Sequence, residues 1–500
     1  MRAKLILPAL TEAKSPFFRS VKYSLFPPLG LASLAAYLAP DDEVTLTDEH
    51  VETVKLDDDP ELVAIQVYIT SAYRAYEIAD HYRARGAHVC LGGPHVTSLP
   101  REAAQHADTV FLGPGEDTWP RFLADFRAGT PQRVYQSRER TLAGHPRPRR
   151  DLIKRHLYLT PNALVASRGC PHSCDFCYKT PFFAGGKSFY TWSVEDVLAE
   201  VESLPGRHLY FLDDHFFGDP RFAAELCERL VGMGRVWQAG GTVQAALNEP
   251  LMEVAAKAGL RSLFIGFETL SEANLRGHGK HQNLHRDYEA AIRQLRDVGV
   301  MVNASFVYGM DEDDESVFER TVEWAVRQGV ETATFHILTP YPGTKLHWRL
   351  TAQGRVTSQN WDLYDTRHAV FRPVHMSAQA LEDGYWRSYR DFYRWSAIFR
   401  GAWAKETWAG RLRHLAIAGG WKKAEPVWDL IIRAKRLPGV QPALEAALDR
   451  FGLRRPSRGS SLRICDKNSG ICSVISVTRE AECDVDHRIG GKWHARLARE

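Results

Sequence analysis

From the first residues onward, short apolar runs alternate with amphipathic stretches. Lys4–Leu10, Glu43–Thr47, Leu62–Val67, His88–Leu91 and Thr109–Leu112 have the length and β-branched content of strands. Leu29–Leu38, Ala72–Arg85 and Arg101–His106 carry apolar positions at helical spacing. Strands separated by helices imply right-handed βαβ units and a parallel sheet, whose ligands sit at the carboxyl ends of the strands. Two glycine-bearing turns fall there, Gly92-Gly93-Pro94-His95 and Gly113-Pro114-Gly115-Glu116. The rhythm returns after residue 160. Ala163–Ser167, His208–Leu212, Val236–Thr242, Ser262–Phe267, Met301–Tyr308 and Thr334–Leu338 read as strands, with amphipathic helices such as Val194–Ser203 and Asp287–Val298 between them. Six such units suit a partial or full (β/α) barrel with its chemistry at the strand C-termini. The expected organisation is therefore α/β: a flavodoxin-like, Rossmann-type domain over 1–130, a linker over 131–160, a barrel over 161–345, a helical region over 346–454 and a poorly ordered tail over 455–500.

Composition narrows the class. The 500 residues are 44% hydrophobic and 25% charged, which excludes wholesale disorder, a coiled coil or a collagen-like fibre. With 64 basic against 61 acidic residues the net charge is +3, and no nucleic-acid partner is expected. The Arg/Pro-rich stretch in 131–160 reads as a solvated surface segment. The apolar run Leu29–Ala39 spans 11 residues, short of the roughly 20 that cross a bilayer. The N-terminus leads into a strand without a cleavage-site pattern, so no signal peptide is expected. Eight cysteines are too few for a disulfide scaffold, and a reduced, cytoplasmic setting is the economical expectation. Cys90 and Cys227 read as buried structural thiols.

Three of the eight, Cys170, Cys174 and Cys177, fall within eight residues, in a loop directly after the first strand of the second half. A cubane needs four ligands. Three closely spaced thiolates hold three irons and leave the fourth open to bind and activate a ligand. A structural zinc site is the alternative. Zinc sites come as paired knuckles totalling four ligands, and His172 sits awkwardly for a fourth.

This spacing in this place resembles the radical S-adenosylmethionine superfamily. The resemblance implies a [4Fe-4S] cluster on Cys170, Cys174 and Cys177, with S-adenosylmethionine chelated by the open iron and cleaved to a 5′-deoxyadenosyl radical. It implies a cosubstrate role for Phe176, beside the last cysteine. Tyr210-Phe211-Leu212-Asp213-Asp214-His215 looks like the strand-end motif of the cobalamin-dependent branch, and Ile265-Gly266-Phe267-Glu268-Thr269 like its fourth-strand motif. Asp213, Asp214 and Glu268 are thereby candidates to line the cosubstrate site. Phe306–Met310 and Leu338–Thr344 resemble the fifth and sixth strand ends.

A flavodoxin-like domain ahead of such a barrel resembles the cobalamin-binding module. On that resemblance Gly92, Gly93, His95, Gly113, Gly115 and Glu116 flank the cobalamin, and Thr70 and Ser71 line its tail pocket. The classical module carries Asp-x-His-x-x-Gly after its first strand. Here Thr11-Glu12-Ala13-Lys14-Ser15-Pro16 stands there, without the histidine that would ligate cobalt from below. His50 and His95 are candidate substitutes. A nicotinamide site is disfavoured, because no G-x-G-x-x-G opens the first helix.

Tyr385, Tyr389, Phe392, Ser396, Phe399 and Trp403 recur at spacings of three and four, one helical face interleaved with arginines. Core packing, a substrate wall and an interfacial membrane helix are all open readings. Trp361-Asp362-Leu363-Tyr364-Asp365 and His368 resemble a segment of hopanoid-modifying members. Cys465, Cys472 and Cys483 match no ligand pattern. The resulting expectation is a cobalamin-dependent radical S-adenosylmethionine C-methyltransferase. It would take an apolar or polycyclic small molecule, draw electrons from a donor such as a flavodoxin or ferredoxin, and make a peripheral membrane contact at most. An oxidative cyclase of the anaerobic porphyrin-ester type or a ring-rearranging oxidoreductase of the same architecture, and a non-catalytic cobalamin or iron–sulfur sensing protein, are the rivals. A methylthiotransferase is disfavoured, because the first domain lacks the further three-cysteine set.

Overall fold

A computed structural model describes residues 1–10, 25–423, 462–465 and 472–475. In the first sheet, β1 (Arg2–Leu7), β2 (Glu43–Asp48), β3 (Leu62–Gln66), β4 (His88–Gly92), β5 (Thr109–Leu112) and β6 (Val134–Gln136) run in the order β2-β1-β3-β4-β5-β6. All neighbours are parallel. The order reverses between β1 and β3, and at that switch point open α/β sheets hold ligands. Leu62–Gln66 is apolar on both faces because helices cover the sheet on both sides.

The second sheet takes β7 (Ala163–Leu164), β10 (His208–Phe211), β11 (Val236–Gly241), β12 (Leu260–Glu268), β13 (Met301–Tyr308) and β14 (Thr332–Ile337) in chain order, again all parallel. It is a partial barrel. Between its first two strands, β8 (Ser167–Gly169) and β9 (Phe189–Thr191) form a small antiparallel ribbon that frames the cysteine loop. The barrel's core is aromatic at one end, where Phe211, Phe216 and Trp237 pack ring to ring.

An open barrel leaves an edge strand, and β14 is covered by the helix Ala378–Phe392. Tyr389 and Tyr393 reach back from it. Their hydroxyls take the backbone N–H of Phe335 and Ala333 at 3.1 Å each, and that of Tyr393 donates to the Ala333 carbonyl at 3.0 Å. The edge is thereby closed to foreign strands. At the start of β14 the buried Glu331 meets Lys405 at 2.7 Å and Arg413 at 3.6 Å, fastening the following helices. These charges outweigh burial and hold the Glu331 carboxyl down at about 2.

Several expectations are corrected. The strand expected over Ala163–Ser167 is interrupted, because Ala166 N–H turns to the Asp213 carboxylate. Arg101–His106 is replaced by two short helices, Pro94–Ser98 and Pro100–Ala103, each opened by the proline whose missing N–H suits a first turn. The segment expected as a solvated linker supplies β6. Its Arg140 is buried, donating to the carbonyls of Phe183, Ala184 and Lys187. The aromatic face expected to run from Tyr385 to Trp403 is split at Tyr393–Arg394 into Ala378–Phe392 and Trp395–Trp403, so Tyr385 and Phe392 are buried while Phe399 and Trp403 are exposed. Thr11–Pro16 and Cys483 lie outside the described residues. Of 455–500, Leu462–Cys465 and Cys472–Ile475 pair as an antiparallel ladder.

Candidate functional site

Gly169, at φ +81, turns the chain from β8 into the cysteine loop. A side chain there would strike the Ser188 carbonyl at 1.9 Å. Cys174 is buried, and Cys170 and Cys177 are partly so. Among the described residues no three His, Cys, Asp or Glu side chains converge as a lone metal ion requires. A four-iron cube presents separate irons to separate thiolates, so three cysteines spread along a loop fit it.

The loop is fixed from outside. Asp175 N–H donates to the His278 carbonyl at 3.1 Å, and its carboxylate takes His278 Nδ1 at 2.8 Å and Arg349 at 3.1 Å. Phe176 packs its ring edge-on to His278 at 5.9 Å. The amide of Gln282 donates to Cys174 Sγ at 3.5 Å. Lys280 meets Glu268 at 2.5 Å. Burial opposes the Lys280 charge, but Glu268 and the Cys174 and Cys177 sulfurs outweigh it and raise its pKa above the ordinary lysine range. Glu268 ends β12 at φ +65, a left-handed conformation that a non-glycine residue holds only under constraint. Gly266 makes room for the pair, since a Cβ there would lie 2.3 Å from Glu268 Oε1. Deeper in, His172 and His215 stack at 5.7 Å. Burial, then His172 and the nearby lysines, press the His215 pKa down to about 3. His215 Nδ1 and Asn283 Oδ1 are buried without a hydrogen-bond partner, polar atoms available to a cosubstrate beside the loop.

The loop also borders an open cleft of about 470 Å³ that runs to the carboxyl ends of the first sheet. Leu7, Gln66, Gly92, Gly93, Gly113, Gly115 and Glu116 line one side; Arg168, Tyr178, Lys179, Phe182 and Asp214 line the other. Gly93 has φ +117, and a Cβ there would lie 2.7 Å from the Val67 carbonyl. Two ion pairs organise the walls: Arg168 with Glu116 at 2.6 Å, across the two halves, and Lys179 with Asp214 at 2.9 Å. Nε of Arg168 is buried without a partner. A large cleft at the switch point, floored by glycine turns, fits a corrin-sized group.

The expected residues distribute unevenly. Cys170, Cys174, Cys177, Phe176 and Glu268 are brought together. Asp213 is buried and does not line the cleft. Its carboxylate accepts from Ala166 N–H at 3.1 Å and Ser167 Oγ at 2.5 Å, and burial raises its pKa to about 7. Asp214 faces the cleft instead, also accepting from Gly169 N–H. Ser71 is buried in a one-turn helix after β3, where its hydroxyl bonds Tyr68; Gln66 and Tyr68 line the cleft in place of Thr70 and Ser71. His95 is buried on the far side of its turn. Its Nε2 lies 3.0 Å from Glu102 and 3.1 Å from the Tyr76 hydroxyl, and its ring packs on Trp361. His50 bonds Asp48 at 2.8 Å. Neither imidazole lines the cleft. Trp361 Nε1 donates to Glu102, so the segment around it braces the first domain.

Sequence reasoning missed Arg168, Lys179, Lys280, Gln282 and Tyr68. Arg168 and Lys179 flank the cysteines and carried that positional signal. Lys280 and Gln282 follow the Glu268 strand end by a dozen residues, and nothing local announces them.

Residues 164–325 match the radical SAM superfamily, and residues 19–123 match the B12 binding domain. Bacteriochlorophyllide d C-12(1)-methyltransferase of Chlorobaculum tepidum is 29% identical over 394 residues, 75% of this chain and 84% of that protein. Hopanoid C-2 methylase of Rhodopseudomonas palustris is 25% identical over 353 residues, 67% of this chain and 66% of that protein. The fold is shared with the radical S-adenosylmethionine methyltransferase TsrM from Kitasatospora setae, at a TM-score of 0.61 and 15% identity over 88% of this chain and 99% of that one.

Proposed function

We propose that this chain, which belongs to the cobalamin-dependent branch of the radical S-adenosylmethionine superfamily, is a C-methyltransferase acting on an unactivated carbon of an apolar or polycyclic small molecule. One observation carries the reading. The glycine turns of the first sheet and the residues flanking the cysteine loop are walls of one cleft.

When bound, the cluster supplies the electron that cleaves S-adenosylmethionine, and cobalamin supplies the transferred methyl. Cys170, Cys174 and Cys177 would hold the cluster, and Asp175, anchored to His278 and Arg349, keeps their loop in place. Gln282 donates to the Cys174 sulfur. Glu268, Lys280, His215 and Asn283 present polar atoms to the cosubstrate. On the opposite wall Gly92, Gly93, Gly113 and Gly115 let a corrin approach the backbone, and the Glu116–Arg168 pair clamps the two walls together. Gln66 and Tyr68, at the end of β3, line the same wall. The rings of Phe182 and Tyr178 add apolar surface to the wall. A flavodoxin or ferredoxin is the reductant this chemistry calls for, in an oxygen-poor, reducing compartment.

The test is anaerobic turnover with trideuteromethyl-labelled S-adenosylmethionine, offering a bacteriochlorophyllide and a hopanoid extract in parallel. The expected product is heavier by one labelled methyl in place of hydrogen, with 5′-deoxyadenosine formed alongside. Loss of hydrogen or uptake of oxygen would instead assign the chain to oxidative cyclisation. Absence of 5′-deoxyadenosine would assign it to sensing without turnover.

A further inference from the structure

The helix Trp395–Trp403 packs Ala397, Ile398, Gly401 and Ala402 inward. Its other face carries Trp395, Phe399 and Trp403, each at i, i+4 spacing and each at least half exposed. The face continues onto the helix Trp408–Lys423. The Trp403 and Trp408 rings lie 6.4 Å apart, and Leu412 follows one turn on. Trp403 is 61% exposed and Trp408 69%. Soluble surfaces seldom collect large apolar side chains in one contiguous strip. Here the strip is mostly tryptophan, the residue that settles at the boundary between headgroups and acyl chains.

The charge around it is mainly basic. Residues 386–413 contain seven basic and two acidic side chains; Lys405 and Arg413 are buried against Glu331, while Arg387, Arg390, Arg394, Arg400 and Arg411 reach the surface, Arg394 and Arg400 pairing there with Asp391 and Glu323. Arg411 lies over both Trp403 and Trp408, at 5.2 and 5.1 Å from their ring centroids, so a cation sits within the aromatic strip itself. Arg394 stands exposed at the helix start. Exposed tryptophan with basic residues is the composition of an interfacial surface for anionic headgroups, with the rings buried to shallow depth. Among the described residues no helix is long and apolar enough to cross a membrane, so the contact is with the surface.

We propose that the strip Trp395–Phe399–Trp403–Trp408–Leu412, with Arg411 at its centre, docks this chain onto anionic phospholipid bilayers. The inference rests on the apolar-substrate reading above for its purpose, since such a substrate partitions into bilayers, but its test is independent of turnover. Anaerobically reconstituted full-length protein is sedimented with vesicles of phosphatidylcholine alone and of phosphatidylcholine with phosphatidylglycerol. The expected result is binding to the phosphatidylglycerol vesicles, weakened by salt and accompanied by a blue shift of tryptophan emission. The W403A/W408A double variant and R411E should each lower that partitioning by about tenfold while retaining wild-type cluster absorbance. R411K should retain it.

Three results would overturn the proposal. One is wild-type protein that stays in the supernatant with both vesicle types. Another is binding that the variants leave unchanged. The third is a wild-type dimer in light scattering that W403A/W408A dissolves without altering vesicle binding, which would give the strip to a second copy. Vesicle binding without methyl transfer would sink the substrate reading and leave the docking surface standing.

Discussion

Beside the barrel side of the cleft, the three clustered cysteines come from one loop of eight residues. On the first-domain side, the wall is assembled from five places: Leu7, the helix from Leu29, Gln66 with Tyr68, Gly92 to Pro94, and Gly113 to Glu116. The cysteine side works through side-chain chemistry, and its spacing is written in consecutive residues. The glycine side works through the absence of side chains, and its shape appears only when the strands are in order. A cluster site is therefore sensitive to single ligands and the supports of their loop. A cobalamin site is sensitive to anything that fills space at the switch point.

That contrast can be broken most forcefully at Gly93. A valine there would meet the Val67 carbonyl and hold a disfavoured φ, at a cost of about 1–3 kcal/mol. The expected outcome is a lowered melting temperature and loss of cobalamin during gel filtration, with the four-iron spectrum still obtained on reconstitution. Full cobalamin occupancy in Gly93→Val would show that the turn does not shape the site.

Glu116→Gln acts where the two walls meet. It leaves the Arg168 charge without its partner, a loss of about 1 kcal/mol given the partial exposure of both side chains. Cobalamin affinity, read by equilibrium dialysis, should fall several-fold, and cluster content should be unchanged. Equal affinities would mean that the pair does not hold the cleft.

Gln282→Leu sharpens the other side. Removing an N–H···S bond makes the Cys174 thiolate a stronger donor to its iron, so the cluster's midpoint potential should move down in a redox titration followed by EPR. Iron content should stay at the wild-type level. A potential that does not move would remove Gln282 from the account.

Asp213→Asn should disturb either cofactor least. Burial holds the Asp213 carboxyl at about 7, against 3.8 in an unfolded chain. Between those values the folded state keeps a proton that the unfolded state has lost. This group's contribution to stability is therefore full below about pH 4 and declines as pH rises to about 7. Urea unfolding at about pH 5 and about pH 8 should show the wild type losing more stability than the variant across that interval. An equal loss in both would mean that the carboxyl is solvated.

How much of this was legible follows the same division. Both parallel sheets were readable, because buried parallel strands are continuous apolar runs; β5 and β13 fall where the pattern puts them. The cysteine loop stood out because its three thiols are neighbours in sequence. Strand β6 was not, since Val134–Gln136 is three residues inside a run of arginine and proline. Asp213 and Asp214 read alike in sequence, yet alternation along the strand end sends one to the backbone of Ala166 and the other into the cleft. Burial of His95 among Tyr76, Glu102 and Trp361 depends on a segment some 260 residues away, beyond the reach of any local pattern.

The central claim is that the cysteine loop and the cleft beside it hold the two cofactors next to each other, and EPR of the doubly loaded protein tests it most directly. With cob(II)alamin bound and the cluster reduced, the account predicts a cobalt signal broadened by the nearby cluster spin. The unbroadened signal should return in Cys174→Ala, which keeps its cobalamin. A wild-type spectrum that is the plain sum of an isolated cobalt centre and an isolated cluster would contradict it.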